Sequence, residues 1–269
     1  EGCTPEKTRG VCADIGSSSF PGRGGASIAK PRGGVKLGLA RGHRAVYLRG
    51  MNMIDSSLAG RPVHPALWVA AGLMALPELV FWAQGAGFLG PEAGRYSLYT
   101  LFAWWDVAFE HARANGVLSL QLVWSLVTHA FMHGGLLHLL MNGAAFLGLG
   151  HAVTQLAGIR ATAVIFAVTA AAGALTFSLI TDHPGPLVGA SGVVFGLIAV
   201  LTAWQERALR RHGQDRTAIW QRILGLVAIT VVLDIGMGGM LAWEAHLGGF
   251  VAGWLIASVV RPRLRRRAW

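Results

Sequence analysis

The chain of 269 residues is 53% hydrophobic and only 13% charged, and its mean hydropathy is +0.49. Soluble domains carry about a quarter charged residues, so this composition excludes an ordinary soluble enzyme, a disordered protein and a nucleic-acid-binding protein. The formal net charge of +10 is better explained by Lys and Arg that flank membrane spans than by contact with nucleic acid.

The first 60 residues differ from the rest because they are rich in Gly, Ser and basic residues and have no apolar periodicity. We predict a disordered cytoplasmic leader over 1–60, without a cleaved signal peptide, since no apolar core lies in the first 30 residues. Cys3 and Cys12 form neither a disulfide framework nor a metal set. Met51 is a candidate native start, on the hypothesis that the preceding residues are translated upstream sequence.

Residues 61–261 are predicted to form an all-α, polytopic membrane domain, followed by a basic cytoplasmic tail over 262–269. A membrane-spanning helix needs roughly 20 apolar residues. The predicted spans are Ala66–Phe88, one helix that starts near Gly135 within Ala114–Ile159, Ala161–Thr181, Gly185–Gln205, Ile219–Met237 and Ala245–Val260.

The distribution of basic residues favours six spans over seven. With six spans and a cytoplasmic N-terminus, 21 Lys and Arg residues lie inside and only Arg95 and Arg113 lie outside. A second span within Ala114–Ile159 would leave 10 inside and 13 outside, which removes the positive-inside bias. We therefore expect a multi-pass protein of a plasma membrane with both termini in the cytoplasm and a basic tail that faces anionic lipid.

The first outer loop, Leu89–His133, is long and rich in aromatic residues. Loops of this length are usually functional or disordered. Because Trp side chains are enriched at membrane interfaces, we expect part of this loop to lie in the interface. Glu78, which follows Pro77 in the first span, is assigned no role.

Polar residues within spans are costly and are candidates for function, and three groups of them lie at one depth. His138 and Asn142 stand at positions i and i+4 near the start of the second span. Ser191 lies in Gly189-Ala190-Ser191-Gly192, at the start of the fourth. His246 lies in Ala245-His246-Leu247-Gly248-Gly249, at the start of the sixth. All three groups are predicted near the outer ends of their helices.

This arrangement predicts a serine nucleophile with a histidine base. The pairs Gly192/Gly196 and Gly249/Gly253 permit close helix contact in lipid, which would bring Ser191 within reach of His246. Phe195, one turn after Ser191, is expected to pack on the imidazole.

The oxyanion of an acyl-transfer reaction would be held by His138, Asn142 and the backbone N–H of Ser191. No carboxylate lies where a third triad member would be expected, so the prediction is a Ser–His dyad. His129 and His133, four residues apart, offer a weak alternative as metal ligands, although hydrogen bonding within the loop is the more ordinary role.

These motifs resemble those of the rhomboid family of intramembrane serine proteases. The resemblance rests on His133 with His138-Leu139-Leu140-Met141-Asn142, on Gly189-Ala190-Ser191-Gly192, and on Ala245-His246-Leu247-Gly248-Gly249 with Gly253. It extends over roughly Ala66 to Val260. One position departs from the family pattern, because Trp124 is followed by Ser125 where many members have Arg, so the loop must be held in another way.

The resemblance implies a six-helix core, Ser191 as nucleophile, His246 as general base, and His138 and Asn142 as oxyanion donors, with no metal or cofactor. It implies cleavage of transmembrane proteins within or next to their spans. A bacterial-type enzyme of the bacterial inner (plasma) membrane is expected.

Two alternatives remain: an inactive membrane chaperone or adaptor on the same scaffold, and a transporter or a haem or metal carrier. The histidines available to such a carrier are His129, His133, His138, His151 and His246.

Overall fold

The computed structural model describes residues 60–90, 94–181 and 185–263. The predictions for the leader before residue 60 and for the tail after residue 263 lie outside these residues. The described part contains nine α-helices. They are α1 (Pro65–Gly85), α2 (Arg95–Phe102), α3 (Asp106–Asn115), α4 (Leu120–Thr128), α5 (Leu136–Ala157), α6 (Ile159–Ile180), α7 (Ser191–Arg211), α8 (Thr217–Gly236) and α9 (Trp243–Ile256).

The long helices confirm the predicted polytopic all-α fold. Within the described residues, five helices are long and apolar enough to cross a membrane, namely α1, α5, α6, α7 and α8. The segment predicted as the sixth span is also helical, as α9, but it is only 14 residues long and is not among the helices long enough to cross a membrane; it lies between α6 and α7. Only one helix from Ala114–Ile159, α5, has the length of a span, as predicted.

The fourth span begins later than predicted. Residues 185–190 are not helical, and α7 starts at Ser191. The backbone of Leu187 instead pairs with that of Trp104 in an antiparallel bridge, with N–H to O distances of 2.8 and 3.2 Å. Pro186 explains the difference, because proline disfavours a helical conformation in the preceding residue. As a result Ser191 stands at the N-terminus of its helix.

Helix α7 is the centre of the bundle, and α9 packs against it through glycine. A Cβ at Gly249 would overlap the carbonyl oxygen of Gly192, and a Cβ at Gly253 would overlap that of Gly196. The predicted seam between the fourth and sixth spans is therefore confirmed. On its other side α9 meets α6 through Gly248, where a Cβ would collide with Thr176.

Helix α8 has a different environment. Its only buried residue is Ile219, near its N-terminus, while apolar side chains along its length, such as Leu224 and Val232, are exposed. An apolar surface of this kind is suited to lipid. Helix α8 is thus the span least fixed by protein packing.

The loop between α1 and α5, predicted to lie outside, folds into three short helices that pack against one end of the bundle. Buried Trp104 donates its indole N–H to Ser178 of α6 at 2.8 Å. Within the loop, Trp124 donates to the carbonyl of Leu101 and Thr128 to that of Phe102, each at 2.8 Å. These bonds attach α2 and α4 to each other and the loop to the core.

Candidate active site

Ser191 is the first residue of α7 and follows a backbone turn that only glycine adopts easily. Gly189 has φ +113°, and its N–H donates to the carbonyl of His129 at 3.0 Å. The first α7 backbone bond runs from Val194 to Ala190. The N–H groups of the preceding first turn, including that of Ser191, therefore have no partner within the helix and favour a nearby negative charge.

His246 lies on α9 against the same part of α7. Its ring stacks on Phe195 with a centroid distance of 4.2 Å and an interplanar angle of 10°, as the sequence predicted. The residue is 6% exposed, and its Nδ1 has no hydrogen-bond partner among the described residues. Stacking fixes the plane of the imidazole without occupying either of its nitrogens.

The glycine seam brings the two helices together at the level of Ser191. A Cβ at Gly192, the residue after Ser191, would lie 3.2 Å from the carbonyl oxygen of Ala245, the residue before His246. In the described part of the chain no hydrogen bond joins the Ser191 and His246 side chains. Hydrogen bonds between catalytic side chains often form fully only when substrate is present. The evidence that Ser191 and His246 act together is therefore the close approach of the α7 and α9 backbones and the stacking of Phe195 on His246.

His138 faces the same turn from α5. Its Nδ1 accepts a hydrogen bond from the N–H of Gly134 at 3.3 Å, so its proton is carried by Nε2. A Cβ at Gly189 would lie 2.8 Å from that Nε2. Gly189 therefore allows the donor nitrogen of His138 to lie directly against the turn that precedes Ser191.

Asn142 is one turn below His138 and is 7% exposed. Its amide nitrogen donates to the carbonyl of His138 at 3.0 Å, which leaves one of its two N–H groups for another acceptor. The pair shares one helical face, as their spacing predicts.

His133 is fully buried, and both its ring nitrogens have no partner within the described residues. The ring packs edge-on against His138 at a centroid distance of 5.2 Å. By contrast, the Nδ1 of His129 lies 2.9 Å from the carbonyl oxygen of Ser125, so this ring is bonded within the loop, as expected for its ordinary role.

An ion pair that the sequence did not predict lies beside this site. Arg95 of α2 makes a two-pronged contact with Glu78 of α1, with N to O distances of 2.7 and 3.1 Å. The same guanidinium donates to the carbonyl of His133 at 2.6 Å, and so does the hydroxyl of Tyr99, also at 2.6 Å. An acidic residue within a span was the available signal, but its partner lies in another helix.

The contacts of Glu78, Arg95 and Tyr99 with one another and with the His133 carbonyl hold the loop in place, although Ser125 stands where many family members have arginine. Ser125 is fully buried and donates to the carbonyl of Leu122 within its own helix. Hydrogen bonding to Glu78 raises the pKa of the Arg95 guanidinium above its ordinary value, and burial raises the pKa of the Tyr99 phenol. Both groups therefore remain protonated donors at neutral pH.

A cavity of about 380 Å³ adjoins His246. It lies between α8 and the α7–α9 pair, and its wall is apolar apart from a few side chains that include His246, Thr230 and Asp234. Asp234 accepts a hydrogen bond from the N–H of Leu241 at 3.2 Å. The cavity offers space for an apolar side chain next to the imidazole.

No group of three or more His, Cys, Asp or Glu side chains that could hold a metal ion occurs in the ranges that the structure describes.

Comparison with known proteins gives one family. The family model for the Rhomboid domain matches residues 121–263. RHOMBOID-like protein 5 of Arabidopsis thaliana is 30% identical over 158 residues, which are 56% of this chain and 50% of that protein. Uncharacterized protein Rv1337 of Mycobacterium tuberculosis is 30% identical over 171 residues, 57% of this chain and 67% of that protein. The chain spans between 35% and 51% of the length of the Arabidopsis relatives it matches.

Proposed function

This chain belongs to the rhomboid family, and from that membership and the geometry around Ser191 we propose that it is an intramembrane serine endopeptidase. Its substrates would be transmembrane proteins, cleaved within or next to their spans. One observation carries the proposal: Ser191 and His246 lie on two helices that meet at the glycine seam. Ser191 stands at the free N-terminus of α7, and His246 on α9 is stacked on Phe195.

The proposed reaction starts with attack of the Ser191 hydroxyl on the scissile carbonyl. His246 takes the hydroxyl proton as the C–O bond forms, and the carbonyl oxygen becomes an oxyanion. His246 then gives the proton to the leaving amine nitrogen as the C–N bond breaks. Water hydrolyses the acyl-enzyme by the same steps, again with His246 as base and then acid.

The oxyanion would be stabilised by donors on two helices. The Nε2–H of His138 lies against Gly189, and the Ser191 N–H belongs to the unbonded first turn of α7. The remaining amide N–H of Asn142 is a third candidate. Fixed donors of this type reduce the barrier because they need no reorganisation as the charge develops.

Entry of the substrate is proposed on the side of α8. A helical peptide bond is shielded, so the substrate must unwind before attack. Helix α8 has little buried surface, and the cavity behind it reaches His246. We propose that a substrate span approaches between α5 and α8 and that the cavity accepts one of its apolar side chains.

The proposed location is the bacterial inner (plasma) membrane, with both termini in the cytoplasm and the active site near the outer face. Its support is the excess of Lys and Arg in the inner segments. The matched Arabidopsis relative belongs to a plant and the matched Rv1337 to a bacterium.

Cleavage of a reporter transmembrane substrate in proteoliposomes tests this function. Ser191→Ala is expected to abolish cleavage, whereas Ser258→Ala, a change at an exposed serine, is expected to leave it intact. Equal cleavage by Ser191→Ala and the unsubstituted protein would refute the nucleophile. A protein that cleaves no substrate yet binds transmembrane helices would instead be an inactive adaptor.

A further inference from the structure

The peptide group between His133 and Gly134 carries hydrogen bonds at both ends. Its carbonyl oxygen accepts from Arg95 and from Tyr99, each at 2.6 Å. Its N–H donates to Nδ1 of His138 at 3.3 Å. A single planar unit therefore connects a cation in the outer loop with the imidazole that faces Gly189.

Two consequences follow from this geometry. Donors on a carbonyl oxygen polarise the peptide group and strengthen the hydrogen bond that its N–H donates. A bond from N–H to Nδ1 requires that Nδ1 be unprotonated, which places the ring proton on Nε2. Nε2 is the nitrogen that lies against Gly189.

The cation is itself held in a fixed position. Glu78 binds Arg95 with both carboxylate oxygens, and the Glu78 side chain is only 10% exposed. The guanidinium also lies 4.2 Å from the centroid of the Phe81 ring. Two-pronged pairing adds geometric specificity to the charge, so helix α1 determines where the Arg95 donors point.

We propose that Glu78 and Arg95 form a positioning device that fixes the tautomer and orientation of His138 through the His133–Gly134 peptide group. Neither residue touches the reacting atoms. The proposal rests on the proposed function in so far as His138 is an oxyanion donor. It also explains how the loop is held although Ser125 occupies the position where many family members have arginine.

Kinetics of the 269-residue chain in proteoliposomes give the first test. Arg95→Gln is expected to lower kcat about five- to tenfold, the loss expected when one hydrogen bond weakens, with KM unchanged. Tyr99→Phe retains the ring that packs on Phe81 and removes only the hydroxyl, so a smaller fall in kcat is expected without loss of folding. Arg113→Gln, which breaks the exposed Arg113–Glu110 pair of the same loop, is the matched control and should change nothing.

A double-mutant cycle separates positioning from general loop damage. In a His138→Ala background, Arg95→Gln is expected to cause no further loss, because the group through which it acts is absent. The proposal would be overturned if the fall in kcat caused by Arg95→Gln multiplied with that caused by His138→Ala. It would also be overturned if the Arg95→Gln protein had the same kcat as Arg113→Gln.

Nitrogen-15 spectroscopy provides a readout that does not depend on proteolysis. In histidine-labelled protein, with His138 assigned from the spectrum of His138→Gln, Nδ1 should be unprotonated and Nε2 protonated. Arg95→Gln should produce a mixture of tautomers, and an unchanged His138 spectrum would contradict the proposal. If the unsubstituted protein cleaves nothing, the proposed function fails, while the spectra still decide the positioning claim.

Discussion

Phe195 determines how the imidazole of His246 is presented to α7. The two rings are nearly parallel at 4.2 Å, and Nδ1 of His246 has no partner in the described part of the chain. No carboxylate is needed to fix the plane of the ring when an aromatic neighbour does so. The proposed dyad is therefore physically complete without a third titrating residue.

A substitution at Phe195 tests this role. Phe195→Ala should lower kcat roughly 2- to 12-fold, corresponding to the 0.5–1.5 kcal/mol of an aromatic pair, while Phe195→Tyr retains the stacking and most of the activity. Cleavage kinetics with the reporter substrate provide the measurement. An alanine variant with unaltered kcat would show that the stacked ring has no catalytic importance.

His138 should have a larger effect. Removal of one oxyanion donor typically costs about 10²–10³ in rate, so His138→Ala should lower kcat by that factor with little change in KM. Comparison of kcat and KM checks the expectation. A rise in KM alone would indicate that His138 binds substrate and does not stabilise the oxyanion.

At the scale of the elements, the contact between α7 and α9 depends on the absence of side chains. A Cβ at Gly249 would overlap the Gly192 carbonyl, and such overpacking typically costs 1–3 kcal/mol or more. Gly249→Ala should therefore lower the unfolding temperature and reduce cleavage, because the helices that carry His246 and Ser191 would separate.

The matched control for this change is Gly225→Ala in α8. A Cβ at Gly225 meets nothing within 4 Å, and alanine is the better helix former by about 1 kcal/mol. Thermal unfolding in detergent should show no loss of stability for this variant. If Gly249→Ala and Gly225→Ala lowered the unfolding temperature equally, close contact with α7 would not be the reason for glycine at position 249.

The seam and the stacked Phe195 could be predicted because residue spacing on a helix determines which face each side chain occupies. The start of α7 was predicted too early, because hydropathy alone does not register the effect of Pro186 and the pairing of Leu187 with Trp104. The link between Glu78 and Arg95 could not be predicted, since it depends on how α2 folds back onto α1.

For the molecule as a whole, the proposed topology places the opening of the site toward the outer face of the membrane. Single cysteines in a background without Cys3 and Cys12 test this orientation. Ala114→Cys in the outer loop should react with a membrane-impermeant maleimide on intact cells. Gln214→Cys, between α7 and α8, should react only after permeabilisation. The reverse pattern would invert the proposed topology.

The Ser191–His246 dyad is tested most sharply by labelling with a fluorophosphonate probe, which forms a covalent bond with an activated serine. We expect one adduct, which peptide mass spectrometry assigns to Ser191. It should disappear in His246→Ala and persist in Arg113→Gln. The proposal that His246 activates Ser191 would be contradicted if labelling of Ser191 persisted in His246→Ala. It would also be contradicted if Ser191 of the folded protein did not react with the probe.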